Sequence, residues 1–365
     1  VSQDGLSLST TVGNTAQLNC SGCRVGGSTL AQRNLIGADA NLAIIGVHLA
    51  ASGSVAEGNL IGLRRDGLTR LLAPAAPISS NVSSGIGVGA GATSGVQIRN
   101  NTIGGFVEGI RVEASNALIE GNRIGVADDG QTPAPNSGAG INIRLGGSRV
   151  LRNWIANNGD DGILVGGPGN TCSLIENTLY ANGELGIDLD LTGIFNGDGV
   201  SANDPLDPDI GGNNGQNHPI LAQLVRSATL VHGNVSLNSL PNTSFRIRYC
   251  LVHSADPSGR GECELPVLNV SQLLTTDASG FASAPITNLP YTAGTQVTAT
   301  AARVVGGLEE TSEFAPVSTP RVLTQTEITA LTPATVAVGE SFQAAVSVTS
   351  ADPAFNASGN VQIQM

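Results

Sequence analysis

Apolar residues along this chain recur at every second position in short runs of three to five residues, bounded by Gly or Asn. Gly46-Val-His-Leu, Gly85-Ile-Gly-Val, Gly109-Ile-Arg-Val, Gly140-Ile-Asn-Ile, Gly162-Ile-Leu-Val and Gly186-Ile-Asp-Leu share one pattern. In phase with it runs Asn-x-Ile-Gly, beginning at Asn34, Asn59, Asn101 and Asn122, with degraded copies at Asn153 and Asn177. Period-2 alternation between turn-forming residues predicts β-strands, and no stretch of ten or more residues carries the 3.6-residue period of a helix. The repeat spacings are 25, 42, 21, 31 and 24 residues. A spacing of 42 reads as two units, and 31 as one unit with an insertion. Several short strands per unit of this length predict the coils of a β-solenoid.

Stacked coils would bury Ile, Val and Leu inside and pair edge to edge as parallel strands. The recurring Asn would stack at one turn, its amide bonding to the next Asn and to backbone groups the turn leaves unpaired. Just before each Asn the charge alternates along Arg33, Glu57, Arg99, Glu120, Arg152 and Glu176, with Ser79 offered for a coil between Glu57 and Arg99. These side chains are expected to form an outward column that fixes stacking register. The chain is thus expected to be all-β. Residues 1–221 are read as a right-handed parallel β-helix of seven or eight coils, closed by an acidic cap over about 184–221. Residues 222–320 alternate as an antiparallel β-sandwich, with turns at Asn242, Asp256-Pro257 and Asp277–Gly280. "STPRVLTQT" reads as a linker, and 321–365 as an incomplete Ig-like repeat. Both ends look cut, because the chain opens on Val1 and stops half-way through that repeat.

The "GNxIG" coils, "NGELGIDLD", "NDPLDPDIGGNNGQNHPIL", "ADPSGRGE" and the "TSEFA" at Thr311–Ala315 together resemble right-handed β-helix repeat proteins secreted by bacteria. The last segment, "VAVGESFQAAVSV", resembles the start of a bacterial Ig-like module. The resemblance implies a secreted or cell-surface bacterial protein of this architecture; the activity of such proteins is mostly undefined.

Composition narrows the partners. Formal net charge is −12, and all 17 basic residues are arginine, which argues against nucleic acid and anionic membrane surfaces. No apolar run reaches the ~18 residues of a membrane span. Cys250 and Cys263 flank a Pro-Gly turn as a hairpin-closing disulfide would, which favours an oxidising compartment. Cys20-x-x-Cys23 lacks the companions of a zinc site and leaves a local disulfide or free thiols open.

Seven acids from Glu184 to Asp209 fall within 26 residues without one Arg. Asp204, Asp207, Asp209 and Asn213, with Asp188 or Asp190 reaching in, have the oxygen spacing of a Ca²⁺ loop. The alternative is a metal-free cap in which these side chains bond backbone donors. For catalysis, Asp160 and Asp161 form an aspartate pair at a coil turn, suited in type to glycoside cleavage. A lyase would instead use Arg111 or Arg144, which alternate outward with Glu113, Asn142, Leu164, Gly166, Asp188 and Asp190. That outward row is expected to be a solvated polar face. His48, His218, His232 and His253 lie in separate segments and suggest no triad. The leading expectation is a structural or adhesive shaft that meets an extracellular glycan. The alternative is a lyase, hydrolase or epimerase acting on acidic polysaccharide.

Overall fold

The computed structural model describes residues 16–37, 45–71, 83–114, 116–305, 307–332 and 343–350. Three parallel sheets wrap one core. Among the described residues, sheet I stacks seven strands from Ala16–Leu18 to Ile187–Asp190, and sheets II and III stack six each. Sheet II runs from Arg24–Gly26 to Ser173–Ile175, and sheet III from Leu35–Ile36 to Thr178–Tyr180.

Register lines identical positions of successive coils into columns. In sheet I, Val47, Ile86, Ile110, Ile141, Ile163 and Ile187 face one another across neighbouring strands. Ile36, Ile61, Ile103, Ile124, Ile155 and Leu179 do the same in sheet III. All of these side chains are buried. Each contributes roughly 1.5–3 kcal/mol of transfer free energy, so the columns are the main source of cohesion between coils.

The Asn column forms as the repeat implies. Asn34, Asn59, Asn101, Asn122 and Asn153 each donate a side-chain N–H to the Oδ1 of the next, at 2.9–3.0 Å, and the run ends on Asn177. A second, unforeseen ladder runs Asn136, Asn158, Asn182 and then Glu262, each amide donating at 2.7–2.9 Å.

The 42-residue spacing is one coil, not two. Glu57 faces Arg99 directly, and Asn59 bonds Asn101. The extra residues leave after Ile61 through a turn in which Asp66 accepts from Leu68 N, Thr69 N and Thr69 Oγ1. The insertion after Ile124 repeats this turn with Asp129, Gln131 and Thr132. The two insertions pack together, Asp128 N donating to Gly67 O at 2.9 Å over a small cluster of Leu63, Ala127 and Ala134.

The charge column is ion-paired from Arg99 onward, whereas Glu57 faces Arg99 in register but pairs with Arg24, outside the expected column. Glu57 pairs with Arg24 at 2.5 Å, Glu120 pairs with Arg99 at 3.9 Å and with Arg152, and Arg152 reaches Glu176 at 3.7 Å. Arg33 departs from the expectation, because the inserted turn presents Asp128 to it at 2.7 Å. Ser79 lies outside the described residues.

From Ile220 onward the strands pair antiparallel, except that Arg321–Val322 pairs parallel with Ile220–Arg226. One four-stranded sheet orders Phe281–Pro290, Leu230–Asn238, Ile220–Arg226 and Arg321–Val322; the other orders Leu265–Thr275, Ser244–Val252, Gln296–Val305 and Leu308–Thr311. The expected linker is therefore partly strand, since Arg321 and Val322 pair with Val225 and Arg226. Thr324–Thr332 and Gln343–Ser350 then form a two-stranded antiparallel sheet.

The sandwich closes the solenoid. Phe314, Cys250 and Cys263 join the helix core beside Leu179, Ile187 and Leu189. Cys250 and Cys263 are disulfide-bonded with Cα atoms 5.2 Å apart, as are Cys20 and Cys23 at 5.5 Å. Leu179 and Cys263 exchange both backbone hydrogen bonds, at 2.8 and 3.0 Å. The exposed end of the apolar column is thus covered by the sandwich, and the acidic segment packs beside that junction.

Candidate functional site

The last sheet-I strand, Ile187–Asp190, turns Ile187 and Leu189 inward and Asp188 and Asp190 outward. Asp190 then caps the turn that follows, accepting from Thr192 N, Thr192 Oγ1, Gly193 N and Phe195 N at 2.6–2.9 Å. That turn sends the chain back across the outer face of sheet I. Phe195 O accepts from Asn142 Nδ2 at 3.4 Å, and the Arg144 guanidinium stands 5.4 Å from the Phe195 ring centroid. Further along, Gly199 N donates to Asp188 Oδ2 at 3.0 Å.

The outward row is therefore not a solvated face. Glu108, Arg111, Asn142, Leu164 and Asp188 are all buried. Their polar groups are answered locally. Glu108 accepts from Arg111 Nε and from Asn142 Nδ2 at 2.9 Å, and lies 3.6 Å from Arg144, which also approaches Glu113 at 3.8 Å. Arg111 and Arg144 are brought together, but around Glu108, so both cations are already engaged by carboxylates.

Further along the face, Asp161 and Asp188 meet on neighbouring coils beneath Gly197. A Cβ on Gly197 would stand 2.5 Å from Asp161 Oδ2 and 3.0 Å from Asp188 Oδ2, so only glycine fits. Both aspartates are fully buried. Asp161 Oδ1 accepts from Leu185 N at 3.0 Å, while Asp161 Oδ2 and Asp188 Oδ1 are buried without a hydrogen-bond partner. Burial, reinforced by the charges of Asp160 and Glu184, pushes Asp161 up to about 8. Burial, with the charges of Asp161 and Glu313, pushes Asp188 up to about 9. Glu313, from the sandwich, accepts from Leu189 N at 3.3 Å and Ser201 N at 3.1 Å, and burial raises it to about 7. Glu184 is raised by its hydrogen bond with Asp160. One oxygen from each of Asp160, Asp161 and Glu184 lies within 4.8 Å of the others. An opening lined by Gly183, Glu184, Asp198 and Gly199 on one side, and by Asp256 and Ser258 on the other, adjoins them.

The six residues read as a Ca²⁺ set do not converge. Asp188 belongs to the pair just described, and the Asp190 oxygens are taken by its turn. Asn213 bridges solenoid to sandwich, accepting from Cys172 N at 2.6 Å and donating to Cys172 O and Thr311 O at 3.0 and 2.7 Å. Its amide is thus committed to the solenoid–sandwich contact. Asp207 is buried, accepts from Asn217 N at 3.2 Å and from Ser239 Oγ, and is pushed up to about 6 by burial. Asp204 and Asp209 stand near enough to Asp207 to add to that shift.

Sequence reasoning gave no role to Gly197 or Glu313. The signal for Gly197 was present in "NGDG", a turn sequence shortly after a strand bearing two outward aspartates. Glu313 arrives from the sandwich, inside the "TSEFA" motif that carries the resemblance but announces no role.

The family described as "Right handed beta helix region" matches residues 77–215. That match and the three parallel ladders define the fold as a right-handed parallel β-helix. No curated protein matches the chain. Among solved structures, full-length tailspike protein 2 from Escherichia coli O157:H7 bacteriophage CAB120 aligns at 10% identity and a TM-score of 0.26, over 77% of this chain and 48% of that one. The enzymatically active domain of bacteriophage CBA120 tailspike protein 2 aligns at 12% identity and a TM-score of 0.18, over 75% and 52%. This chain thus spans about half the length of either. Among the described residues, no helix is long and apolar enough to cross a membrane.

Proposed function

We propose that this chain is the rigid shaft of a secreted or cell-surface bacterial protein with a structural or adhesive role, meeting extracellular glycan along its length. The observation that carries this reading is the continuity of the solenoid into the sandwich. The apolar column ends on Phe314 and the Cys250–Cys263 bridge. One Asn ladder ends on Glu262, and Asn213 ties the last coil to Thr311. Such a junction transmits force without a hinge. Two disulfides suit an oxidising compartment, and the arginines of the outer face are engaged by carboxylates.

Solution scattering combined with a panel of polyuronate and neutral glycans tests the reading. A single rigid rod that binds at least one glycan without cleaving it is the expected result. A bent or two-body particle, or no glycan retained, would overturn it.

One observation favours an enzymatic reading. Asp160 and Glu184 are hydrogen-bonded carboxyls, Glu184 lining an opening, and a pair of carboxyls is the equipment of glycoside cleavage. New reducing or unsaturated ends that vanish in Asp160→Asn would establish it.

A further inference from the structure

We propose that Asp160, Asp161 and Glu184 form a binding site for one Ca²⁺ ion at the last two coils of the solenoid. The site is independent of the shaft reading and does not use the acidic loop at Asp204–Asp209.

Three observations converge. The first is spacing. Oxygens from Asp160, Asp161 and Glu184 lie within 4.8 Å of one another, and ligands bound to a common Ca²⁺ at 2.3–2.6 Å need a separation no greater than about that. The second is an unanswered pair of buried oxygens. Asp161 and Asp188 are fully buried, yet Asp161 Oδ2 and Asp188 Oδ1 have no donor. Asp161 Oδ2 lies beneath Gly197, which lines the same opening as Glu184. Protein interiors seldom leave such oxygens without a partner, and a cation would answer them. The third is the sign of the surroundings. The charges acting on Asp161 come from Asp160, Glu184 and Glu313, all negative. By contrast, the carboxylates of the outer face nearby are balanced by Arg111 and Arg144.

The donor set names the ion class. Carboxylate oxygens alone select hard cations, and three carboxylate oxygens spread over separations up to 4.8 Å suit the 2.3–2.6 Å bonds of Ca²⁺ better than the shorter bonds of Mg²⁺. Water reaches the site through the opening beside Glu184 and Asp198.

Equilibrium dialysis of the full chain, freed of metal with EDTA, tests the site with CaCl₂ and MgCl₂ as probes. One Ca²⁺ per chain is expected, with Mg²⁺ at least tenfold weaker. The melting temperature should rise by about 4 °C at a hundredfold excess over the dissociation constant. Asp161→Asn keeps an acceptor for Leu185 N, and Glu184 is exposed, so both Asp161→Asn and Glu184→Gln should fold, as circular dichroism will read. Each should weaken Ca²⁺ at least tenfold, whereas Asp207→Asn should leave it unchanged. Less than one equivalent bound at millimolar Ca²⁺, unaltered affinity in both variants, tighter Mg²⁺ binding, or loss in Asp207→Asn would each overturn the assignment.

Discussion

Replacing Asn122 tests whether the Asn ladder is a structural spine or a by-product of stacking. Its side chain donates to Ile98 O, Glu120 O and Asn153 Oδ1 at 2.9, 3.2 and 2.9 Å, and accepts from Asn101 N and Nδ2 at 3.0 Å. At about 1 kcal/mol net for each bond, Asn122→Ala should cost about 4–5 kcal/mol and leave buried donors unpaired on Asn101. Asn34 stands at the end of the described ladder, and among the described residues its side chain donates only to Asn59 Oδ1 at 2.9 Å. Asn34→Ala should therefore cost about 1 kcal/mol. Asn122→Asp is nearly isosteric but turns an acceptor towards three acceptors, so it should exceed the alanine. Urea unfolding followed by fluorescence is the assay, because the single tryptophan, Trp154, adjoins the ladder residue Asn153. If Asn122→Ala and Asn34→Ala lie within 1 kcal/mol of each other, the ladder carries no cooperative load and the reasoning fails.

Three further outcomes are expected. In EDTA, melting temperature should fall as pH rises from about 4 to about 9. The folded chain holds protons on Asp161 and Asp188, raised to about 8 and about 9, that the unfolded chain releases near 4. That stability is complete below the unfolded value and gone above the folded one, so a melting temperature flat or rising across the window would contradict those shifts. Glu262→Ala should orphan the Asn182 N and Nδ2 donors, cost about 2–4 kcal/mol, and split one calorimetric transition into two; a single unshifted transition would show that the ladder does not couple the units. Reducing the Cys250–Cys263 bridge, which closes a 13-residue separation, should cost about 3 kcal/mol, and non-reducing peptide maps should contain the linked pair.

Much of the architecture was legible because a solenoid writes its register into the sequence. Each coil must present the same residue type at the same turn, so Ile columns, Asn ladder and charge alternation all surface as a period. Where the period was misjudged, at the 42-residue spacing, the cause was an insertion that leaves and re-enters the coil without disturbing its neighbours. Even there a cue existed. "DGLT" at Asp66 and "DGQT" at Asp129 are one turn used twice, and matching them would have exposed two insertions in place of a missing coil. The second ladder escaped notice because Asn136 sits inside the other insertion, outside the Asn-x-Ile-Gly phrase, although its 22-residue spacing to Asn158 is that of a coil. Its last rung, Glu262, lies in the sandwich.

The candidate site was less legible for a different physical reason. Alternation says which side chains leave the core, but not what lies over them. Asp188 and Arg111 do point outward, as period 2 requires, yet both are buried because the chain folds back after Asp190. The reversal depends on Asp190 gathering four donors from its own turn, and on Gly197 passing where no other residue would clear Asp161 and Asp188. The cover changes the chemistry of what it covers. On an open face, Asp161 and Asp188 would be two solvated carboxylates of no consequence. Under Gly197 each keeps one buried oxygen without a donor, and repulsion between them is no longer screened by water. Such a pair stays charged only with a cation beside it, and otherwise holds protons. Gly197→Ala separates the cover from the carboxylates themselves, since it forces the loop off the pair while leaving every acid in place. Solvated again, both aspartates should titrate in the ordinary range near 4, and the fall in melting temperature between pH 4 and 9 should flatten. If that fall keeps its full size in Gly197→Ala, the loop is not what sets the chemistry of the pair.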